Sequence, residues 1–150
     1  MSDKLYLEDL TPGMKFTGKG STPVDEAAIK SFAAQFDPQP FHLDHDAAKT
    51  TMFGGLAASG WHTAAMTMQL LVKDGPPLAG GIIGAGTDEI KWPRPVRPGD
   101  RLRIESEMLE VRPSRSNPKQ GLVKVRTTTL NQNGEPVQIF TGNLIVPRKA

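Results

Sequence analysis

The stretch Ser59–Val72, SGWHTAAMTMQLLV, has the spacing of a helix that is largely withdrawn from water. Trp61, Ala64, Ala65, Met68, Leu71 and Val72 fall on one stripe at helical spacing, and Met66 and Leu70 place apolar atoms on the other side. A helix that is apolar almost all round is a buried one. It opens at Ser59 or Gly60, with Ser59 suited to the cap, and Gly75-Pro76-Pro77 closes it. Such a helix needs a layer to cover it. The sequence downstream changes to period two: residues 82–92, 101–111, 122–130 and 137–146 read as four strands. In the second of these, Leu102, Ile104 and Met108 share a face, and Leu109 and Val111 switch sides, which predicts a bulge near Met108. Pro98-Gly99-Asp100 is a turn and Asn133-Gly134 a hairpin signal. Pro113 to Gln120 is a polar loop.

Upstream, Thr11-Pro12-Gly13 marks a turn and residues 14–20 a short strand. Thr22-Pro23 has the form of a helix start, with Thr22 as N-cap, Pro23 at the first helical position and Asp25 as the capping carboxylate. Val24, Ala28, Ile29, Phe32, Ala33 and Phe36 would form its apolar face. The helix must stop near Phe36, because Pro38 pushes Asp37 out of the α region. Helices first and largely antiparallel strands afterwards argue for an α+β chain in which a curved antiparallel sheet wraps a central helix.

At 150 residues the chain is expected to form one domain, residues 1–150, with a substantial core. Its 37% apolar and 23% charged content is that of an ordinary globular protein. The absence of cysteine excludes disulfides, thiolate metal sites and a cysteine nucleophile. With neither a basic, apolar leader nor a run long enough to span a bilayer, a cytoplasmic location is expected. Eighteen basic against 16 acidic residues is too even a balance to argue for nucleic acid. The basic excess is local, at Lys91, Arg94, Arg97, Arg101 and Arg103. That cluster reads either as solvated strand ends or as a landing site for a phosphorylated small molecule.

Chemistry concentrates between Phe36 and His62, FDPQPFHLDHDAAKTTMFGGLAASGWH. Pro38 and Pro40 restrict the backbone around Gln39, so that Asp37 and His42 can converge on one small site and share a water. On spacing alone, a turn-initiating Asp-Pro and a hydrogen-bonded histidine are the better reading. His42-Leu43-Asp44-His45-Asp46 resembles metal ligands in composition, but its members are crowded into one short stretch, Asp44 suits a helix cap over residues 44–49, and a metal site is not expected. Gly80 to Gly86 lacks the flanking strand and helix of a dinucleotide fingerprint. Gly60 is the other candidate. The first N–H groups of a helix have no intrahelical partner, and a glycine there lets a ligand approach them.

These residues resemble a known family. Asp37-x-x-Pro40-x-His42, followed by Gly60 opening an apolar helix, and then Ile90-Lys91-Trp92-Pro93-Arg94-Pro95-Val96-Arg97-Pro98-Gly99-Asp100, are similar to the two ordered signatures of the MaoC-like, or hydratase-2, family. The resemblance covers residues 8 to 146. It implies a hotdog fold and (R)-specific hydration of trans-2-enoyl-CoA thioesters, or the reverse dehydration. By position it implies Asp37 and His42 as the catalytic pair and the Gly60 N–H as oxyanion donor. Gln39 stands where the family commonly has Asn, an amide with longer reach. Ser59, Trp61 and His62 would line the substrate pocket, and Lys91, Arg94 and Arg97 would meet the coenzyme A phosphates. No cofactor is expected beyond coenzyme A as part of the substrate, and a homodimer is. A hotdog thioesterase, or a subunit that binds acyl groups without turnover, are the rival readings.

Overall fold

The computed structural model describes residues 4–150. After a 3-10 turn at Leu7–Asp9, two short strands, β1 (Lys15–Thr17) and β2 (Thr22–Pro23), precede helices α1 (Glu26–Phe36), α2 (Pro40–Leu43), α3 (His45–Lys49) and α4 (Gly60–Asp74). Then come the long strands β3 (Ile83–Lys91), β4 (Arg101–Pro113), β5 (Gln120–Leu130) and β6 (Pro136–Pro147). All pair antiparallel in the order β1-β4-β5-β6-β3, with β2 also on the outer edge of β4.

The four long strands lie where the alternation places them, and the register between β4 and β5 shifts between Met108 and Glu110, at the expected bulge. Gly13, Gly99 and Gly134 take φ values of 93°, 90° and 75° at the three expected turns. The start of α1 is a correction. Thr22 and Pro23 are not helical but pair with Leu102 and Arg101, and Val24 N–H donates to the Asp100 carbonyl at 2.8 Å. Proline is tolerated there because β2 is an edge strand. Asp25 is the N-cap residue instead. Its apolar face is narrower than expected: Val24, Ile29 and Ala33 are buried, whereas Ala28 and Phe36 are exposed.

Helix α4 also departs from its expected orientation. Its buried side chains are His62, Thr63, Met66, Thr67, Leu70 and Leu71. Met66, Leu70 and Leu71 join Leu102, Ile104 and Val137 of the sheet and Ile29 of α1 in one core cluster. Trp61, Met68 and Val72, from the stripe expected to face the core, are 59%, 41% and 70% exposed. The threonines can face inward because their hydroxyls find partners: Thr67 shares a hydrogen bond with Thr129 at 2.6 Å.

The chain leaves β3 at one edge of the sheet and must return beyond β5 and β6 to begin β4. Residues 92–100 make that crossing and pass the entrance to α4, where Ala58 N–H donates to the Val96 carbonyl at 2.9 Å. This crossover carries the second sequence signature to the first. Among the described residues, no helix is long and apolar enough to cross a membrane.

Candidate active site

Three backbone features assemble the site. Helix α1 ends at Phe36, and Asp37 leaves it at φ −153°, ψ 67°. Pro40 then opens α2 at its first position, where a missing N–H costs nothing. This single turn carries His42 inward, to 4% exposure. Its Nδ1 lies 2.6 Å from the Ala57 carbonyl. A carbonyl only accepts, so Nδ1 carries a proton, and Nε2 is the ring nitrogen that faces Asp37. Nε2 and Asp37 Oδ2 are 3.4 Å apart. That is longer than the roughly 2.7–2.9 Å of a direct charge-assisted bond, and is a separation at which two groups can address one water.

Asp37 is held from both sides. Gln39 Nε2 donates to Oδ1 at 2.6 Å and Ser59 Oγ donates to Oδ2 at 2.7 Å. Burial opposes ionisation of the carboxyl, but the bonds from Ser59 and Gln39 and the neighbouring His42 outweigh it and hold the carboxyl below the usual carboxylate range. The longer amide of Gln39 thus still reaches the carboxylate. Ser59 has two tasks: it orients Asp37 and caps α4, accepting from Trp61 N–H at 3.2 Å.

The Ser59 carbonyl accepts from the N–H groups of His62 and Thr63 at 2.9 and 3.0 Å. Gly60 therefore leads the helix, with its own N–H at the position that has no intrahelical acceptor. It lines a cavity of about 400 Å³ together with His42, Phe53, Thr63, Trp92 and Arg94. Gly60 must be glycine for a steric reason too: a methyl group there would approach the Trp92 indole to 2.6–2.8 Å. Trp92 enters this site from the second signature, whereas Thr63 enters it without a signal that would have marked it as a lining residue. Helical spacing does put Thr63 one turn beyond Gly60, but a buried threonine reads as filler.

The other candidates separate. Arg94 lines the cavity and pairs with Glu135 at 3.2 Å. Arg97 is instead a clamp: its guanidinium donates to the carbonyls of Phe53, Gly55 and Leu56 and so shapes the loop that forms one wall. Lys91 pairs with Glu89 on exposed β3 at 3.4 Å. Trp61 and His62 do not line the His42 cavity. Trp61 borders a separate apolar cavity and packs edge-on with Trp92. His62 stacks on Phe32 with ring centroids 4.8 Å apart, its Nδ1 is buried without a hydrogen-bond partner, and burial holds its pKa below the ordinary histidine value. The histidine-aspartate stretch is engaged elsewhere: Asp44 caps α3 through Ala47 N–H, and His45 pairs with Glu26 at 2.7 Å.

The structure thus brings Asp37 within 3.4 Å of His42, and His42 shares its cavity with Gly60. The model of the MaoC like domain matches residues 8–131. The chain belongs to the MaoC-like family. The fold agrees: the MaoC-like dehydratase from Rhodospirillum rubrum superposes with TM-score 0.93 at 55% identity, covering 97% of this chain and 99% of that one. The R-hydratase PhaJ1 from Pseudomonas aeruginosa superposes with TM-score 0.72 at 27% identity, covering 97% and 88%. Mesaconyl-CoA hydratase of Cereibacter sphaeroides is 38% identical over 68 residues, 45% of this chain and 20% of that protein. The antiparallel sheet with its central helix is a hotdog fold, and the family and these neighbours support a hydratase or dehydratase role.

Proposed function

We propose that this MaoC-like protein hydrates trans-2-enoyl-CoA thioesters with (R) specificity, or dehydrates the corresponding 3-hydroxyacyl thioesters. The observation that carries the reading is the approach of His42 Nε2 to Asp37 Oδ2 at 3.4 Å, beside the cavity that Gly60 lines. The thioester carbonyl accepts from the Gly60 N–H, where negative charge developing on its oxygen meets the positive end of the α4 dipole. A water between Asp37 and His42 adds its hydroxyl to Cβ, and a proton is delivered to Cα on the same face. In the reverse direction the same two groups take the Cα proton and protonate the hydroxyl on Cβ, which leaves as water as the double bond forms. Both groups face one water, so base and acid belong to the pair rather than to either member.

Coenzyme A enters as part of the substrate, with its phosphates near Arg94 at the cavity mouth, and the reaction uses no added cofactor. Two copies of the chain assemble through the open edge of β3 and the apolar residues beside it, and sedimentation of the purified protein at the mass of a dimer tests this.

The direct experiment follows the loss of enoyl absorbance from a panel of enoyl-CoAs while thiol release is assayed in parallel. Hydration without thiol release is the expected result. Asp37→Asn and His42→Gln each lower kcat by about 10²–10⁴-fold, the range of a general acid–base contribution. Undiminished turnover in both variants would remove the mechanism, and thiol release without hydration would make the protein a thioesterase.

A further inference from the structure

Trp92 is fixed more firmly than its place at the end of an exposed strand would suggest. Its indole lies against Gly60, so that a methyl group at that glycine would meet three ring atoms at 2.6–2.8 Å. Its edge meets Trp61, with ring centroids 5.3 Å apart at 82°. Its Nε1 donates to Gln138 Oε1 at 2.9 Å, Gln138 Nε2 donates to Thr67 Oγ1 at 3.1 Å, and Thr67 and Thr129 share a bond of 2.6 Å. Gln138, Thr67 and Thr129 are each at most 1% exposed. A buried, mutually satisfied chain of this kind holds one geometry, because each broken link strands a polar group in a dry interior. The indole is thereby tied to α4, β5 and β6 at once.

The ring lines one volume, and two of its partners line another. The first is the cavity of about 400 Å³ that holds His42 and Gly60. The second is a cavity of about 410 Å³ bordered by Met68, Leu71, Ile90 and Phe140, and by Gln138 and Trp61, which hold the indole. None of the second cavity's lining residues is charged, so hydrocarbon is the chemistry it suits. Met68, Leu71, Thr87 and Phe140 also line a further apolar space of about 420 Å³, so the two apolar spaces adjoin.

We propose that Trp92 is the specificity-determining wall of this site: it closes the inner end of the catalytic cavity against the apolar volume beyond, and so restricts the protein to short acyl groups. The inference rests on the reading that an acyl-CoA occupies the His42 cavity. With the carbonyl on Gly60, the acyl chain grows past the indole, and each methylene beyond the space available must displace a ring held by Gln138.

Binding separates this inference from the chemistry. Butyryl-CoA and octanoyl-CoA, which carry no double bond to hydrate, are titrated calorimetrically against wild type, Trp92→Ala and Gln138→Met, and hydration of the four- and eight-carbon enoyl-CoAs is measured alongside. Wild type favours the four-carbon ligand by roughly tenfold or more, the scale on which a pocket rejects surplus methylenes. Trp92→Ala abolishes or reverses that ratio by improving the eight-carbon ligand. Gln138→Met keeps the ring but frees it, and shifts the ratio the same way by less. An unchanged ratio in Trp92→Ala, or a wild type that takes both lengths equally, overturns the wall. If neither ligand binds any of the three proteins, the wall and the acyl-CoA reading fall together. If the binding ratio shifts as stated while nothing is hydrated, the wall stands and the hydratase reading fails.

Discussion

The two faces of α4 differ in what they ask of their surroundings. The inward face carries threonines among its apolar residues, and their hydroxyls are matched: Thr63 donates to the Ser59 carbonyl at 3.5 Å and Thr67 joins Gln138 and Thr129. The outward face carries Trp61, Met68 and Val72, which are 59%, 41% and 70% exposed. Polarity is thus tolerated where every group has a partner, and apolar surface is left open beside the cavities. Exposed apolar residues of this kind are where the proposed acyl chain or second copy would find its contacts.

The sharpest test lies where the faces meet, at Gly60. Gly60→Ala retains the amide but drives a methyl group into the anchored indole of Trp92. Displacing the α4 entrance from the carbonyl it serves is expected to lower kcat/KM by about a hundredfold, the order of one misplaced oxyanion donor. Overpacking adds a stability loss of about 1–3 kcal/mol. In a Trp92→Val background most of both losses disappears, because the clash is pairwise. A double-mutant cycle reads this directly, and strict additivity would mean that the indole is not what requires glycine there.

Next in size is the cost of breaking each face. Thr67→Val removes the hydroxyl that links Gln138 to Thr129 and strands both, for a loss of about 1–3 kcal/mol in denaturant unfolding. Val72→Ser, one turn further on the open face, stays within about 0.5 kcal/mol of wild type. Equal costs at the two positions would erase the distinction between the faces.

A smaller effect concerns the carboxylate. Ser59→Ala and Gln39→Leu each remove a hydrogen bond that keeps Asp37 ionised, while burial, which opposes ionisation, remains. The acid limb of the kcat/KM profile therefore moves to higher pH in both variants. Ser59→Ala also loses the α4 cap, at about 1 kcal/mol. An acid limb that stays in place in both would show that Asp37 does not govern it.

The long strands, the bulge near Met108 and the turns are legible in the sequence because each rests on local rules, whereas spacing leaves the pairing of Asp37 with His42 open and only the family resemblance implies it. Period two, glycine at a turn, and proline excluding the α region act within a few residues. The burial pattern of α4 is not legible that way. Periodicity ranks residues by type, and Met68 and Val72 outrank Thr63 and Thr67 until the partners on β5 and β6 are known. Arg97 escapes for the same reason: a basic residue in a basic cluster gives no hint that three carbonyls of the loop at residues 53–56 await it. Thr22-Pro23 has the chemistry of a helix start and the geometry of an edge strand, and the β4 edge decides between them.

The least of the expected effects falls on the one inward polar group without a match. His62 Nδ1 is buried with no partner, the ring lies on Phe32 at the positive end of α4, and burial lowers its pKa. Unfolded chains take up a proton near the ordinary histidine value of about 6.5, whereas the folded chain resists it to lower pH. Between those two pH values the unfolded state binds more protons, so stability falls as pH falls, by up to about 1.4 kcal/mol per pH unit for one group. Above the window both states hold a neutral ring and the term vanishes. His62→Phe keeps a ring against Phe32 and removes the titration. The difference in stability between variant and wild type should therefore grow in the variant's favour as pH drops below about 6.5, and remain constant above it. A difference independent of pH would mean that His62 gains a proton partner in the folded state, and that the inward face of α4 has no unmatched group after all.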